Sequence, residues 1–156
     1  MRKLLIGVAV VMSWVVAMSA SAQTVDKKTL SFEAATKIAT KAAEEARARG
    51  VGVVIAVVDD GGHLILLHRL NDTQVASVNV GIGKARTAAI YRRPSRDFEE
   101  QIRAGRVAAL ALADSTPLQG GIPIRLEGKV IGAIGVSGDT PQVDEAIALA
   151  GAAAFK

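Results

Sequence analysis

The sequence predicts an α+β fold with a mainly antiparallel sheet, and three observations favour this class. Residues 51–58 and 63–70 are apolar, strand-like runs joined by a short turn of aspartates and glycines. Residues 122–126 and 130–136 form a second pair of the same kind, again around a glycine turn. Helical patterns separate the two pairs and do not connect parallel strands, so the chain is not a βαβ repeat.

The first and last helices have clear boundaries in the sequence. Ser31 is a good N-cap, and Phe and Ala residues recur after it at helical spacing until Gly50, which suits the position just past a helix end. Thr140 caps the last helix, which begins with Pro141 and is expected to reach residue 154. The many alanines in both helices allow close packing on a neighbouring element.

The middle of the chain is less regular. Residues 74–91 have a helical pattern despite two glycines, and Ser95 is expected to cap a short helix that ends near residue 101. Residues 107–113 fit either a strand or a helix, and we favour a short strand. That strand would be the fifth of the sheet.

Two glycines interrupt the apolar strand at residues 130–136. This run is otherwise almost continuously apolar, as in a central strand that is covered on both faces. Gly132 and Gly135 weaken a strand interior, so they indicate that something packs close to the backbone there. Two explanations stay open, namely a helix that crosses the sheet and a flat ligand.

The first 22 residues have the three-part layout of a secretory signal peptide. Arg2 and Lys3 form a positive start, residues 4–17 are almost entirely apolar, and residues 20–22 read Ala-Ser-Ala. The apolar run is shorter than the ~20 residues that a spanning helix needs. We therefore expect cleavage after Ala22, a single mature domain at residues 23–156, and a periplasmic or secreted location.

Loss of this leader changes the composition. All three Met residues and the single Trp lie in it, and the whole chain has no Cys, so no disulfide supports the mature fold. Arg2 and Lys3 are two of the 19 basic residues, against 15 acidic ones, so the net charge falls from +4 to +2. No basic cluster is interleaved with aromatic residues, and the sequence therefore gives no sign of nucleic-acid binding.

No catalytic motif is complete. Residues 81–85 resemble part of a phosphate loop, but its first glycine is missing and an alanine stands where Ser or Thr would bind magnesium. Residues 135–139 resemble a nucleophile elbow, but an aspartate replaces its second glycine. His63 and His68 are five residues apart, which places them on opposite faces of a regular strand and argues against one shared metal. The sequence thus leaves enzymatic activity open and leans against it.

Five motifs follow one another along the chain. They are Val57-Val58-Asp59-Asp60-Gly61-Gly62-His63-Leu64, Arg69, Gly83-Lys84-Ala85-Arg86-Thr87-Ala88, Gly120-Gly121-Ile122-Pro123 and Gly132-Ala133-Ile134-Gly135-Val136-Ser137-Gly138. Together they resemble the GlcG/HbpS haem-binding family, to which the carboxy-terminal domain of PduO-type cobalamin proteins is related. The resemblance covers nearly all of the mature chain.

The resemblance implies a profilin-like fold with a five-stranded, mainly antiparallel sheet flanked by helices. It also implies a homo-oligomer that binds haem or another tetrapyrrole. The family's Lys-Ala-x-Thr motif falls on Lys84 and Thr87, and Thr87 is the expected haem contact. The family's iron-sensing member has a His-rich amino-terminal motif, which this chain lacks because it has no His before His63.

The chemistry of haem adds candidate side chains. Among the usual axial ligands, the mature chain offers only His63, His68 and Tyr91. His68 lies in an apolar run that favours a neutral imidazole, so it is the preferred iron ligand, and His63 is a close rival. The ordinary alternative for each is a histidine or tyrosine that only packs or faces solvent.

Propionate partners are expected among the basic side chains of one region, although a solvated helix face is the ordinary alternative. These cations are Lys84, Arg86, Arg92, Arg93 and Arg96. The backbone N–H groups of Gly120 and Gly121 could also hold an anion.

Three functions remain open on these grounds. The preferred one is an exported, oligomeric haem-binding protein in haem or iron handling or sensing. The second is an enzyme or accessory protein that acts on a small organic acid, or on haem, in a catabolic pathway. The third is a partner of a membrane sensor or transporter.

Overall fold

The computed structural model describes residues 23–156, and the expected signal peptide lies outside these residues. In the described part, two pairs of consecutive strands are separated and flanked by helices. They are α1 (Phe32–Ala48), β1 (Val54–Asp59), β2 (Leu64–Arg69), α2 (Ser77–Ile90), α3 (Arg96–Arg103), a 3₁₀ helix (Val107–Ala111), β3 (Gly121–Leu126), β4 (Lys129–Ser137) and α4 (Pro141–Ala152). None of the helices in residues 23–156 is long and apolar enough to cross a membrane.

The strands form one antiparallel sheet in the order β2-β1-β4-β3. Each hairpin supplies one edge strand and one inner strand. The inner strands β1 and β4 pair from Val54 opposite Ser137 to Asp59 opposite Gly132. The predicted α+β class and the central position of the last strand are therefore confirmed.

Helices cover both faces of this sheet. α1 and α4 pack on one face, where Ile55, Val57 and Ile134 are fully buried. α2 packs on the opposite face, where its alanines contact Ala56 and Val58 of β1. β1 is thus buried on both faces, which explains why its sequence is apolar without alternation.

The sheet has four strands in the described residues, and the prediction of a fifth at residues 107–113 is wrong. Residues Val107–Ala111 form a 3₁₀ helix instead. Val107 and Leu110 are each 64% exposed, and the segment pairs with no strand. An apolar run of this length cannot be assigned by pattern alone, because strand and short helix share it. The likeness to profilin stays a prediction.

The predicted ends of the first and last helices are confirmed at their caps. The hydroxyl of Ser31 accepts a hydrogen bond from the N–H of Ala34, and that of Thr140 accepts one from Val143. Gly50 follows α1 with φ +69°, as its position predicts. Ser95 stands at the N-cap position of α3, but its side chain makes no capping hydrogen bond and donates instead to the carbonyl oxygen of Leu118.

The strand glycines allow other parts of the chain to lie against the backbone of β4. A Cβ atom at Gly135 would lie 2.9 Å from the Cβ of Ala85, because α2 crosses the strand there. At Gly132, the nearest side chain on the other face is that of Leu30, 3.1 Å away. Packing by the chain itself therefore accounts for both glycines, without a flat ligand at these positions.

Candidate functional site

Lys84 extends from α2 into the protein interior and is 4% exposed. Its Nζ donates to the carboxylate Oδ2 of Asp144 at 2.8 Å and to the carbonyl oxygen of Val136 at 3.0 Å. Asp144 belongs to α4, which packs on the opposite face of the sheet from α2. The ion pair therefore joins the two helical layers around the end of β4.

Asp144 is as deeply buried as its partner, with 2% of its surface exposed. Burial raises the pKa of its carboxyl above the ordinary value, and the hydrogen bond and charge of Lys84 oppose that rise. The backbone N–H of Asp139 donates to Oδ1 at 3.0 Å. Because Lys84 is committed to this pair, the structure does not present it as a surface cation for a propionate.

Gly120 and Gly121 lie beside Lys84, where β3 begins. A Cβ atom at Gly120 would lie 3.1 Å from the Nζ of Lys84, and Gly121 packs on the carbonyl group of the same residue. The N–H of Gly121 donates to the Oγ of Ser95 at 2.8 Å. The structure thus brings together Lys84, Gly120 and Gly121, but it uses them for packing between α2 and the sheet.

Thr87 is fully buried on α2, one turn after Gly83. Its hydroxyl donates to the carbonyl oxygen of Gly83 at 2.8 Å and accepts from the N–H of Thr116 at 2.7 Å. The side chain of Thr116 rests on Gly83, where an added Cβ would lie 2.9 Å from the Thr116 Cβ. The segment that follows the 3₁₀ helix therefore covers the expected haem contact.

Arg86 contacts the turn between β1 and β2, and this turn carries His63. The Nε of Arg86 donates to the carbonyl oxygen of Gly62 at 3.2 Å, and His63 follows Gly62 directly. The turn is held by the Oδ1 atom of Asp59, which accepts from the N–H groups of Gly61 and His63 at 2.9 Å. His63 is exposed. The structure thus places the turn that carries the exposed His63 beside a cation.

His68 lies on the other face of the sheet. It pairs with Ile55 across the strands, and neighbours of this kind point to the same face. Ile55 packs with α1, whereas Thr87 and Arg86 belong to α2 on the opposite face. One haem could therefore not contact both His68 and Thr87 of the same chain, and the structure separates these two predicted contacts.

The remaining predicted cations have protein partners or lie apart. The guanidinium of Arg93 stacks over the ring of Phe98 at 4.3 Å. Arg96 pairs with Glu145 at 3.2 Å and with Glu100 at 3.5 Å, while Arg92 is exposed. Within residues 23–156, Arg86 alone of the five predicted cations lies next to the hairpin and has no acidic partner.

An apolar surface adjoins Arg86 because α2 leaves the edge strand β2 partly uncovered. Leu64 and Leu67 pair with Val58 and Ala56, so they face the α2 side of the sheet. Leu64 is 48% exposed, and Leu67 is half-buried against the α2 core. Ile82 of α2 packs against the same buried cluster as Leu67. We call Leu64, Leu67, Ile82 and Arg86 the hairpin face.

Several residues of this region gave no signal in the sequence. Asp144 lies 60 positions from Lys84, and Ser95 bridges Gly121 to the carbonyl oxygen of Leu118 at 2.5 Å although it resembles a helix cap. Thr116 sits in a loop without a motif. Only the three-dimensional contact identifies such partners, since a buried Lys predicts an acid but not which one.

Residues 23–156 contain no group of three or more His, Cys, Asp or Glu side chains placed to hold a metal ion. If iron is bound here by haem, the porphyrin nitrogens supply most of its ligands. A single protein side chain, or none, then completes the coordination. A candidate iron ligand in this chain is therefore one side chain, such as His63, and not a cluster.

The fold and site define a small α+β domain whose two helical layers are joined by a buried Lys–Asp pair at the end of the sheet. A family model described as "Haem degrading protein HbpS-like" matches residues 30–153. The chain belongs to this HbpS-like family, as the sequence resemblance predicted.

Three relatives illustrate this membership. Protein GlcG of Escherichia coli K12 is 42% identical over 111 residues, which cover 71% of this chain and 83% of GlcG. A double mutant of Streptomyces reticuli HbpS has a TM-score of 0.78 at 30% identity, covering 86% of this chain and 92% of that one. A complex of PduOC with heme has a TM-score of 0.75 at 25% identity, covering 82% and 96% of the two chains.

Proposed function

We propose that this chain is an exported haem-binding protein that works as a homo-oligomer in haem or iron handling. The observation that carries the haem assignment is the similarity to PduOC, whose crystal structure is a complex with heme. The description of the family also names haem, as the compound that is degraded. Export and assembly rest on the leader and on composition, and they are expectations to be tested.

The hairpin face is the surface that fits haem best. Haem needs apolar contacts for its ring and cations for its propionates. Leu64, Leu67 and Ile82 supply apolar surface, and Arg86 supplies a charge without an acidic partner in the described residues. His63 stands at the end of this surface and could reach the iron. Bound haem would supply an iron centre that takes up ligands and electrons.

The two histidines can be distinguished by this geometry. His63 belongs to the turn that Arg86 contacts, whereas His68 lies on the side of the sheet that α1 covers. A haem on the hairpin face would therefore use His63. A haem that uses His68 would have to lie between α1 and the edge strand, away from Thr87. The iron ligand stays a prediction until the two are compared directly.

Hemin titration of the purified mature protein tests the proposal. We expect a shifted Soret band in the wild type, a changed ferric spectrum in His63→Ala, and an unchanged one in His68→Ala. Arg86→Gln should weaken binding without altering the band position, since it acts on the propionates. Arg103→Gln is the matched control, because Arg103 is an exposed α3 residue paired with Glu99.

Other results would change the assignment. A spectrum altered only by His68→Ala would move the haem to the α1 side. A wild-type protein that shifts no Soret band at any hemin ratio would exclude haem binding and leave the organic-acid alternative. Co-purification with a membrane protein would support a role beside a sensor or transporter.

A second candidate function follows from the family description, which names haem degradation. In that case the Soret band of bound hemin should decay in the presence of a reductant and air, faster than that of free hemin. A stable band under these conditions would favour binding alone.

A further inference from the structure

Thr87 is closed off by its own chain. Its side chain has no exposed surface, and both functions of its hydroxyl, donor and acceptor, are used by Gly83 and Thr116. A haem could not touch this hydroxyl while Thr116 remains in place. If Thr87 contacts a ligand, as the family motif implies, the covering segment has to move first.

Three side-chain hydroxyl groups, evenly spaced in the sequence, hold that segment. Besides Thr87, the hydroxyl of Tyr91 donates to the carbonyl oxygen of Ala113 at 2.7 Å, and that of Ser95 donates to Leu118 at 2.5 Å. Thr87, Tyr91 and Ser95 follow one another at four-residue intervals. We call residues 107–118 the strap, because side-chain hydroxyls fasten its backbone over the end of α2.

The strap has little apolar packing of its own. Ala109 is the one fully buried side chain among residues 107–118, whereas Val107 and Leu110 are 64% exposed. The Oγ of Ser115 is buried without a hydrogen-bond partner in the described residues, and Asp114 has φ +54°. An unsatisfied hydroxyl and a left-handed non-glycine residue both oppose the closed position. The segment is therefore attached by a few polar contacts and is suited to release.

We propose that the strap is a lid whose displacement from α2 opens Thr87 to haem. This inference rests on the proposed haem-binding function. Thr87 follows Arg86 directly on α2, so a haem on the hairpin face would reach Thr87 only after the strap has lifted. A closed majority state lowers apparent affinity by the fraction of molecules that are open. Changes that loosen the strap, without touching Thr87, should then make hemin bind faster and more tightly.

Gly83→Ala is the most direct test. The added Cβ would lie 2.9 Å from the Cβ of Thr116 and closer still to its hydroxyl, so Thr116 has to shift away from α2 and we expect the strap to lift with it. Removing the opposing side chain in Gly83→Ala/Thr116→Gly should let it return. Tyr91→Phe is a milder second variant, since it removes one hydroxyl and keeps the ring that packs edge-on against Phe98.

Two measurements are made on each variant of the full mature protein, namely hydrogen exchange of residues 107–118 without haem and stopped-flow association of hemin. We expect faster exchange and about threefold or greater acceleration of association in Gly83→Ala, a smaller change in Tyr91→Phe, and recovery in the double variant.

Three outcomes would overturn the lid, and they can be distinguished from one another. Faster exchange with unchanged hemin association would mean that the strap opens without controlling the site, and haem binding itself would stand. No Soret shift in the wild type or in any variant would contradict both the lid and the proposed haem binding. Unchanged exchange in both Gly83→Ala and Tyr91→Phe would show that these contacts do not hold the strap.

Discussion

At the scale of single residues, Lys84 is a charged residue of the family motif that lies buried in the protein interior. A buried ammonium is costly unless it is paired and hydrogen-bonded. Asp144 and the carbonyl oxygen of Val136 provide that pairing, and Asp144 is held in turn by the N–H of Asp139. The Lys of the family motif therefore stabilises the joint between α2 and α4 in this chain.

Lys84→Met should destabilise the protein by about 3–5 kcal/mol, because it leaves the carboxylate of Asp144 buried without its partner. Lys84→Met/Asp144→Asn should recover part of this loss, since Asn keeps an oxygen for the N–H of Asp139 and carries no charge. Urea unfolding measures both. Lys41→Met is the control, because Lys41 and its partner Glu44 are largely exposed and their pair should contribute little.

The pH dependence of Lys84→Met follows from the Asp144 carboxyl. Burial already raises the pKa of Asp144, and loss of Lys84 removes an opposing influence, so the pKa rises further. A raised carboxyl pKa means that the folded protein prefers the neutral form. The deficit of Lys84→Met should therefore be largest at neutral pH and shrink as pH falls toward about 4. A deficit independent of pH would contradict this origin.

At the scale of elements, the position of α2 depends on a strand position without a side chain. Gly135 of β4 lies directly beneath the helix, close to Gly81 and Ala85. The small residues on α2 bring its backbone against the sheet, which in turn fixes the positions of Lys84, Arg86 and Thr87. The geometry of the site thus follows from close helix–sheet packing.

Gly135→Ala should displace α2 and cost about 1–3 kcal/mol, because its Cβ would lie 2.9 Å from that of Ala85 and closer to the helix backbone. Thermal unfolding measures the loss, and weaker hemin binding should accompany it. Gly61→Ala is the matched control. Its Cβ would meet the exposed side chain of His63 at 3.1 Å and the Oδ1 of Asp59 at 3.2 Å, both looser contacts, and its effect on stability should stay within about 0.5 kcal/mol. Equal losses in both variants would contradict the packing argument.

At the scale of the whole molecule, the first expectation concerns processing. The layout of residues 1–22 predicts cleavage after Ala22. The exported protein should then begin at Gln23, and its intact mass should lack the leader. A periplasmic protein that still begins at Met1 would contradict this prediction. Lys27 pairs with Asp60 near the β1–β2 turn, so the new amino terminus would lie close to the hairpin.

Assembly is the second expectation at this scale. The alanine-rich helix faces suggested an oligomer, but Ala39, Ala85 and Ala148 are fully buried within the chain itself. Exposed aliphatic side chains outside the strap, such as Val75 and Leu149, are the better reason to expect a homo-oligomer. Light scattering at micromolar concentration should give a multiple of the mature mass. A monomer mass across the concentration range would contradict the prediction.

The sequence by itself determined the fold class, both hairpins, the caps at Ser31 and Thr140, and the family. These features depend on local patterns or on motifs within one segment, which is why they can be read along the chain. Residues 107–113 lie at the limit of such patterns. They are too short for periodicity to separate a strand from a 3₁₀ helix.

The tertiary structure alone decided which residues share a site. It paired Lys84 with Asp144 from a different layer, placed Thr116 over Thr87, and put His68 on the face opposite Thr87. Such partners are far apart in sequence, and their meeting depends on how helices cross the sheet and on which face each strand residue points to. A change of one residue in strand register reverses that face, so no motif could have fixed it.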